Sequence, residues 1–446
     1  MMDNLIITED QVLPNLSQQK PSRVRYMVVV LIFMATAINY LDRTNMAVTA
    51  PLMQGEFGFD AAILGLLFSG FSWAYALMQI PGGMFLDRFG SRITYAISCS
   101  LWSLFTFLMS TGSSFATLLG LRLGIGFSEA PAFPTNSRVG ATWFPKQERG
   151  KVTAIYLAAQ YVGLAFLTPV LFWLQANWGW RSIFYVTGGI GLIYSAIWYY
   201  SYRDPKDSKY VNEAELAHIR RGGGLADNTV TGAKIAWSDL AELFKHRQLL
   251  GIYLGQFCQN ATVIFFLTWF PTYLIAEKHM PMLKVGIYAS IPFLAAFVGA
   301  LFSGWLSDNL LNKGHSLTLS RKFPIISGGL LSACIIAANY TNDFDTIIAI
   351  MSIAYFGQGM AGISWVLVGD AAPSRLVGLA GGTFNFCGNL CGAITPIVIG
   401  FIVKATGSFT GALLFISCVA VIGVCSYIFI VGDIHRIELA SDKIKQ

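Results

Sequence analysis

Four ionisable residues occur well inside stretches of the chain that are largely apolar. They are Asp42 and Arg43 in the run 26–50, and Arg122 and Glu129 in the run 115–143, which also contains Arg138 nearer its end. On insertion scales a charged side chain at the middle of a bilayer costs about 2.5–3.5 kcal/mol, so it needs a partner or a water-filled cavity. We therefore expect these four residues to form a functional site.

The types and spacing of the four residues favour binding of an organic anion. Arg122 and Glu129 are seven residues apart and share a helix face, about 10 Å apart along the axis. Asp42 and Arg43 point about 100° apart, so they cannot reach the same spot. Arginine suits a carboxylate ligand because its planar fork binds two oxygens at once. The alternative is two fixed ion pairs that only hold helices together.

Asp42 and Glu129 are the predicted proton carriers. Burial disfavours the charged form of a carboxylate, whereas a nearby guanidinium favours it. A carboxylate balanced between these effects can take up a proton when its arginine turns to a bound anion. We expect Asp42 to lie near the outer end of its helix, where solvation is cheaper, and this makes it the weaker candidate.

Uncharged polar side chains in the apolar runs are candidates for binding the hydroxyl groups of a substrate. Phenols, amides and hydroxyls can donate and accept hydrogen bonds in such a site. The alternative for each is a hydrogen bond between helices, typically worth about 0.6 kcal/mol. The candidates are Tyr40, Tyr75, Gln160, Gln256, Ser364, Trp365 and Asn385, with Tyr156, Asn260 and Asn389 as weaker ones.

Composition shows which elements must position these residues. Of 446 residues, 54% are hydrophobic and only 12% are charged, against about 25% charged in soluble domains. A bilayer helix needs about 20 apolar residues. Ten uncharged runs reach that length, and the two charged runs complete a predicted set of twelve transmembrane helices. We expect an all-α integral membrane protein; this composition excludes a soluble enzyme and a nucleic-acid-binding domain.

An internal repeat divides the chain into two pseudo-symmetric six-helix halves. The segment GGMFLDRFGSR at 82–92 corresponds to SGWLSDNLLNKG at 303–314, so Asp87 and Asp308 occupy equivalent positions. Duplicated halves are common in secondary transporters. The predicted units are a cytoplasmic tail 1–24, a bundle 25–202, a cytoplasmic loop 203–247, a bundle 248–432 and a cytoplasmic tail 433–446.

The basic residues predict the orientation in the membrane. When the loops are assigned alternately to two sides, 23 of the 30 lysines and arginines fall on the side of the termini. The positive-inside rule then puts both termini in the cytoplasm. We expect a multi-pass protein of the inner membrane.

The loop after the second predicted helix resembles the signature of the major facilitator superfamily. That signature, G-x-x-x-D-R-x-G-x-R, is matched by Gly83, Asp87, Arg88, Gly90 and Arg92. In the family this motif forms ion pairs that hold the outward-open state closed on the cytoplasmic side. The resemblance therefore implies a gating role for Asp87, Arg88 and Arg92.

Longer strings are similar to the anion:cation symporter family within that superfamily, and most of all to bacterial sugar-acid permeases of the galactonate and glucarate type. They include NYLDRTNMAV at 39–48, FSWAYALMQIPGG at 71–83, EAPAFPTNSR at 129–138, WFPKQERG at 143–150 and FLTWFPTYL at 266–274. The resemblance implies import of a hexonate or aldarate with protons as the coupling ion, using Asp42 and Glu129. It also implies a monomer that works by rocker-switch alternating access.

The same resemblance favours a substrate-binding role for several of the polar candidates. The residues at sugar-acid-permease positions are Tyr40, Tyr75, Gln160, Gln256, Trp365 and Asn385. A transporter or exchanger of another organic anion, such as a hexuronate, a dicarboxylate or an aromatic acid, is the alternative within transport.

A membrane-embedded enzyme is the competing class. The sequence contains no His-Glu-x-x-His, no Gly-x-Ser-x-Gly and no phosphate-binding glycine loop, and its five histidines fall in or near predicted loops. We therefore expect no enzyme activity, no cofactor and no metal. The expected partners are a small carboxylate substrate, protons and the lipid bilayer, with no nucleic acid.

Overall fold

The computed structural model describes residues 20–226, 237–373 and 376–438, and all regular structure in those ranges is helical. Parts of the predicted tails 1–24 and 433–446 and of the loop 203–247 lie outside the described residues. The helices of the first half are α1 (Val24–Phe57), α2 (Ala61–Met109), α3 (Phe115–Glu129), α4 (Ala132–Trp143), α5 (Lys146–Trp178) and α6 (Trp180–Ser201).

Two short helices, α7 (Glu213–Arg221) and α8 (Trp237–Leu243), lie in the connecting segment. The helices of the second half are α9 (Arg247–Thr268), α10 (Met282–Tyr288), α11 (Ser290–Asn312), α12 (Leu317–Ala333), α13 (Phe344–Ala361), α14 (Ser364–Ala371), α15 (Val377–Thr406) and α16 (Thr410–Cys425). Irregular helical turns extend α9 to Glu277, α12 to Tyr340 and α16 to Ile430.

Ten helical segments of the described chain are long and apolar enough to cross a membrane. One of them, α2, is two helices joined at Gly90, whose φ of 73° interrupts the helical backbone. The run 115–143 is broken into α3 and α4 and is not among the ten. The prediction of an all-helical membrane protein is confirmed, whereas the count of twelve spans stays a prediction.

Polar caps and left-handed glycines set where the helices begin and end. Asp60 caps the start of α2 by accepting a hydrogen bond from the backbone N–H of Ile63 at 2.9 Å. Gly58 ends α1 in the left-handed conformation, which glycine adopts without a Cβ clash. These caps produce a short connection, so α1 and α2 run antiparallel.

The helices alternate between two faces of the molecule. We call the face where α1 begins and the α16 extension ends the termini face, and the other the opposite face. Near the opposite face, α2 of the first half packs against α15 of the second. A Cβ added at Gly65 would lie 2.5 Å from the carbonyl oxygen of Pro396. The Asp60 carboxylate also pairs with Lys404 Nζ at 2.8 Å across the two halves.

The same two helices separate towards the termini face. Positions Gly378, Gly381 and Gly382 of α15 have no atom within 4 Å of where a Cβ would stand. On α2, Leu77 and Ile80 are more than two-thirds exposed. The two halves are therefore packed together at the opposite face and diverge towards the termini face.

The connecting segment is anchored to the first half by the buried carboxylate of Glu215 on α7. This carboxylate accepts hydrogen bonds from the hydroxyl of Ser22 and from the backbone and guanidinium of Arg25. Arg25 also pairs with Glu148 at 3.3 Å. The beginning of α1, α7 and the beginning of α5 therefore form one unit at the termini face.

Candidate functional site

The centre of the first half contains an ion pair between α1 and α3. Arg43 Nε donates to Glu129 Oε1 at 2.7 Å. The Glu129 side chain is fully buried, whereas that of Arg43 is 14% exposed. An ion pair with one accessible member can be opened by an anion that binds the arginine, because the anion replaces the carboxylate as its partner.

Three aromatic rings surround the guanidinium of Arg43. Its Cζ lies 4.9 Å from the ring centroid of Tyr40, 4.8 Å from that of Phe71 and 5.0 Å from that of Tyr75. Rings at this distance attract a cation and fix its position. The predicted neighbours Tyr40 and Tyr75 thus lie at the arginine, and Phe71 is an additional member.

Phe71 is not among the site residues predicted from the sequence. The signal was its spacing of four residues from Tyr75, which puts both rings on one face of α2, where they stack with centroids 5.5 Å apart. Phe71 also lies 5.3 Å from the Cζ of Arg122 and so sits against both arginines. α3 approaches α2 closely here, since a Cβ at Gly126 would overlap the carbonyl oxygen of Phe71.

Arg122 is buried without an ion-pair partner. It is 4% exposed, and its Nε donates to the backbone carbonyl of Leu67 at 3.4 Å. Within the described part of the chain no carboxylate lies within 4 Å of it. The alternative of two fixed ion pairs is therefore wrong, because only Arg43 and Glu129 are paired.

Asp42 lies on another side of α1, in a separate polar environment. It is 2% exposed, and Asn45 Nδ2 donates to its Oδ1 at 3.3 Å. Asn45 also donates to the hydroxyl of Thr187 on α6 at 2.7 Å. The predicted divergence of Asp42 and Arg43 is confirmed. The expected place near the outer end is wrong: Asp42 lies 18 residues after Val24 and 15 before Phe57, near the middle of α1.

The second half offers neutral hydrogen-bonding groups. The hydroxyl of Ser364 on α14 donates to Gln256 Oε1 on α9 at 3.5 Å. On α15, Asn389 Nδ2 donates to Asn385 Oδ1 at 3.2 Å. The structure thus brings Gln256 together with Ser364, and Asn385 together with Asn389.

Three other polar candidates have different surroundings. Trp365 is 45% exposed and meets Phe384 edge-on at 4.8 Å. Asn260 donates to the backbone carbonyl of Gly388, which assigns its amide to helix packing. Gln160 on α5 is half-buried, and the described residues provide no hydrogen-bond partner for its amide.

Comparisons of the whole chain with known proteins identify its family. Residues 32–396 match the sequence profile of the Major Facilitator Superfamily. The chain is 50% identical to the D-galactonate transporter of Escherichia coli O6:H1 over 94% of its length and 98% of the relative. The chain belongs to the major facilitator superfamily. It is also 43% identical to the probable galactarate/D-glucarate transporter GudP of Bacillus subtilis, over 94% of both chains.

Solved structures of the superfamily share the fold. A bacterial homolog of the human lysosomal transporter Spinster, inward-facing and occupied, aligns with a TM-score of 0.75 at 18% identity, over 91% of this chain and 97% of that one. The xylose transporter XylE of E. coli, in a partially occluded inward open conformation, aligns with a TM-score of 0.70 at 14% identity, over 92% and 98%. The expected superfamily fold is confirmed.

The superfamily signature lies at the termini face and makes contacts only within the first half among the described residues. Asp87 pairs with Arg138 on α4 at 3.5 Å. Arg92 Nε donates to the carbonyl of Tyr199 at 2.9 Å, and Arg88 is exposed beside the ring of Phe89. Of the predicted gating residues, Asp87 and Arg92 therefore brace the junction of the two arms of α2 at Gly90, and Arg88 does not.

The second half repeats this bracing in a modified form. Arg321 Nε donates to Asp370 Oδ2 at 2.9 Å, and its Nη1 lies 3.8 Å from Asp308. An arginine from another helix therefore lies near the corresponding aspartate in each half, from α4 in the first and from α12 in the second. These two helices do not correspond in the repeat, so the contacts are similar in type only.

Proposed function

We propose that this chain is a proton-coupled symporter that imports a sugar-acid anion, a hexonate or aldarate of the D-galactonate or D-glucarate type. Its relatives at 42–50% identity are named as transporters of these acids. We place it in the inner membrane with both termini in the cytoplasm, as the basic loops favour. In that orientation the divergence of the halves towards the termini face is an inward-facing conformation.

The ion pair between Arg43 and Glu129 is the observation that supports this function most strongly. A substrate carboxylate that binds Arg43 removes the partner that keeps Glu129 charged in a buried place. Glu129 then takes up a proton, because an unpaired buried carboxylate is costly. Substrate binding and protonation are thereby linked, since each makes the other more favourable.

Arg122 and Asp42 complete the proposed mechanism. Arg122 lacks a carboxylate partner and so offers a second cation for the substrate, held beside Phe71. Asp42 carries the second proton from its own polar environment beside Asn45 and Thr187. No cofactor or metal takes part in this scheme.

The second half supplies the groups that bind the hydroxyls. Gln256, Ser364 and Asn385 present amide and hydroxyl groups, and Trp365 presents an exposed indole. From the first half, Tyr40, Tyr75 and Gln160 extend this set. A polyol acid can therefore bind with its carboxylate on the first half and its hydroxyls on the second, and the two halves rock around it.

The test is uptake of labelled D-galactonate and D-glucarate into proteoliposomes, with and without an inward proton gradient. We expect accumulation above the outside concentration only with the gradient. Accumulation independent of the gradient would contradict symport. A thermal-shift panel of hexonates, aldarates, hexuronates, dicarboxylates and aromatic acids on the purified protein separates the sugar acids from the alternative substrates.

A further inference from the structure

The second arm of α2, which follows Gly90, buries an unusually polar face. This face packs against α6 and α1 inside the first half. Apolar side chains would suffice between helices that lipid surrounds, and polar ones are expensive there. Apart from Ala96 and Met109, its buried side chains all carry a polar atom: Ser91, Thr94, Tyr95, Ser98, Cys99, Trp102, Ser103 and Thr106. We call these eight residues the α2 polar strip.

Most polar atoms of this strip have no hydrogen-bond partner in the described chain. Among the described residues, Thr94 Oγ1, Tyr95 OH and Thr106 Oγ1 have no partner at all. Ser91 Oγ, Trp102 Nε1 and Ser103 Oγ lie beside Tyr202, Asp42 and Cys99 but form no hydrogen bond of good geometry with them. These six atoms form two groups, Ser91 to Tyr95 and Trp102 to Thr106, on one face of the helix. Ser98 and Cys99 lie on the turn between the groups, and Cys99 Sγ donates to the carbonyl of Gly191 at 3.5 Å. Buried polar groups without a protein partner form hydrogen bonds with water.

Other polar side chains on α2 and α6 do have hydrogen-bond partners, in contrast to most of the α2 polar strip. The hydroxyls of Ser100 and Ser195 lie 2.7 Å apart, and Tyr194 OH donates to the carbonyl of Leu31 at 2.6 Å. These groups tie helices together in the ordinary way. Within the α2 polar strip Cys99 is tied in this way, to the carbonyl of Gly191 on α6. If the whole strip served this purpose, the six atoms named above would be paired in the same manner.

The strip reaches Asp42, near the middle of α1, at Trp102, and Ser103 and Thr106 continue beyond this point towards the opposite face. Trp102 lies beside the Asp42 carboxylate. The Oδ2 atom of Asp42 and the Oδ1 atom of Asn45 are buried without a partner as well. Asp42 is only 2% exposed, so a proton on it needs a route through the bundle.

The other end of the strip reaches the termini face. Ser91 lines a surface cavity of about 340 Å³ together with Arg92, Arg203, Asp204 and Asp207. Tyr202 lies beside Ser91, and its hydroxyl donates to Asp204 Oδ1 at 3.0 Å. A carboxylate in contact with solvent therefore stands at the end of the strip.

We propose that the α2 polar strip is the route by which Asp42 exchanges its proton with the termini face, separate from the substrate site at Arg43. The proposal rests on the proton coupling proposed above. Asp42 gives its proton to a neighbouring water or hydroxyl, and each water, hydroxyl or thiol along the strip accepts one proton and passes on another. Trp102 only donates a hydrogen bond, because an indole has no acceptor. Asp204 or cavity water takes the last proton. No member gains or loses a proton overall.

The test uses the double variant Thr94→Val and Tyr95→Phe in proteoliposomes. Proton flux coupled to D-galactonate uptake is followed with a pH-sensitive dye, and substrate exchange is followed with label. Net flux requires proton release from Asp42, whereas exchange of loaded carriers does not. We expect net flux to fall at least about tenfold while exchange stays within about twofold of the wild type. Tyr194→Phe, which removes a partnered hydroxyl, should change neither.

Two results would overturn the proposal. One is an unchanged net proton flux in the double variant. The other is an equal loss of flux and exchange in the double variant and in each single variant, which would assign the strip a purely structural role. If the wild-type protein itself moves substrate without protons, the proposed symport fails and the route fails with it.

Discussion

The two halves of this protein share a duplicated architecture but differ in their central chemistry. The first half holds Asp42 and Arg43 near the middle of α1, Arg122 within α3, and Glu129 at the break between α3 and α4. In the described second half, acidic and basic residues stay close to the outer ends of the helical segments, and Gln256, Asn385 and Ser364, which lies at the break between α13 and α14, are neutral.

This difference shows how a duplicated fold can place charged groups in one half and neutral hydrogen-bonding groups in the other. In the proposed mechanism, the charge that is gained or lost is confined to one bundle, where partners and aromatic rings stabilise it. The other bundle offers only neutral hydrogen bonds, so its movement over the substrate buries no additional charge. The following variants test this division, in order of decreasing effect.

Replacing Arg43 should have the largest effect. Arg43→Gln removes the fork that would bind the substrate carboxylate. We expect binding of D-galactonate to weaken about 100-fold or more, because two charge-assisted hydrogen bonds of about 1.5–3 kcal/mol each are lost. Isothermal titration on purified protein measures this. Arg138→Gln, which changes an arginine at the termini face, is the control and should bind normally. Equal affinities for both variants would show that the charged half does not hold the anion.

A steric clash introduced where α2 packs against α15 should have the next largest effect. Gly65→Val places side-chain atoms against the Pro396 carbonyl, so closure at the opposite face is destabilised by about 1–3 kcal/mol. We expect the protein to shift towards opening at that face, as measured by alkylation of single cysteines placed in α2 and α15. Gly120→Val, at a position with open space, should leave alkylation unchanged. No shift in Gly65→Val would contradict the packing described between the halves.

Removing a neutral group from the second half should have a smaller effect. Gln256→Leu removes one amide, and a neutral hydrogen bond contributes about 0.5–1.5 kcal/mol, so KM should rise about 3- to 10-fold. Proton dependence of uptake should persist, because the first half is intact. Gln259→Leu, on the same helix beside Tyr427, is the matched control. Loss of proton dependence in Gln256→Leu would break the proposed division between the halves.

Breaking the exposed ion pair between Asp60 and Lys404 at the opposite face should have the smallest effect. Hydrogen bonds from Lys404 and from the backbone of Ile63 hold the pKa of Asp60 below its usual value. The contact is therefore intact at neutral pH and is lost only as pH falls through that lowered pKa. We expect Asp60→Asn at pH 7 to change cysteine accessibility by no more than about threefold, since exposed pairs contribute little. A pH dependence between 6 and 8 that disappears in Asp60→Asn would contradict this.

The sequence predicted which charged residues lie in the helices better than it predicted which of them pair with each other. Uncharged runs and the repeat around Asp87 and Asp308 identified the helices and the two halves, because lipid imposes a simple composition on membrane helices. Helical spacing also separated Asp42 from Arg43, as the structure confirms. The choice of partner between Glu129 and the two arginines depends on how α1, α2 and α3 cross, and periodicity within one helix does not contain that information.

Other features escaped prediction for the same reason. Phe71 reads as an ordinary apolar residue until Arg43 and Arg122 are placed on either side of it. The depth of Asp42 was misjudged because α1 continues past the apolar run to Phe57. The polar character of the face from Ser91 to Thr106 is visible in the sequence, but its lack of partners requires the positions of α1 and α6.

Glu129→Gln tests the central claim most directly, because it removes the proposed protonation while keeping the shape of the side chain. In proteoliposomes the variant should exchange labelled D-galactonate at close to the wild-type rate. It should also fail to accumulate D-galactonate under an inward proton gradient. A Glu129→Gln protein that still concentrates the substrate would contradict the coupling between the Arg43 ion pair and proton uptake.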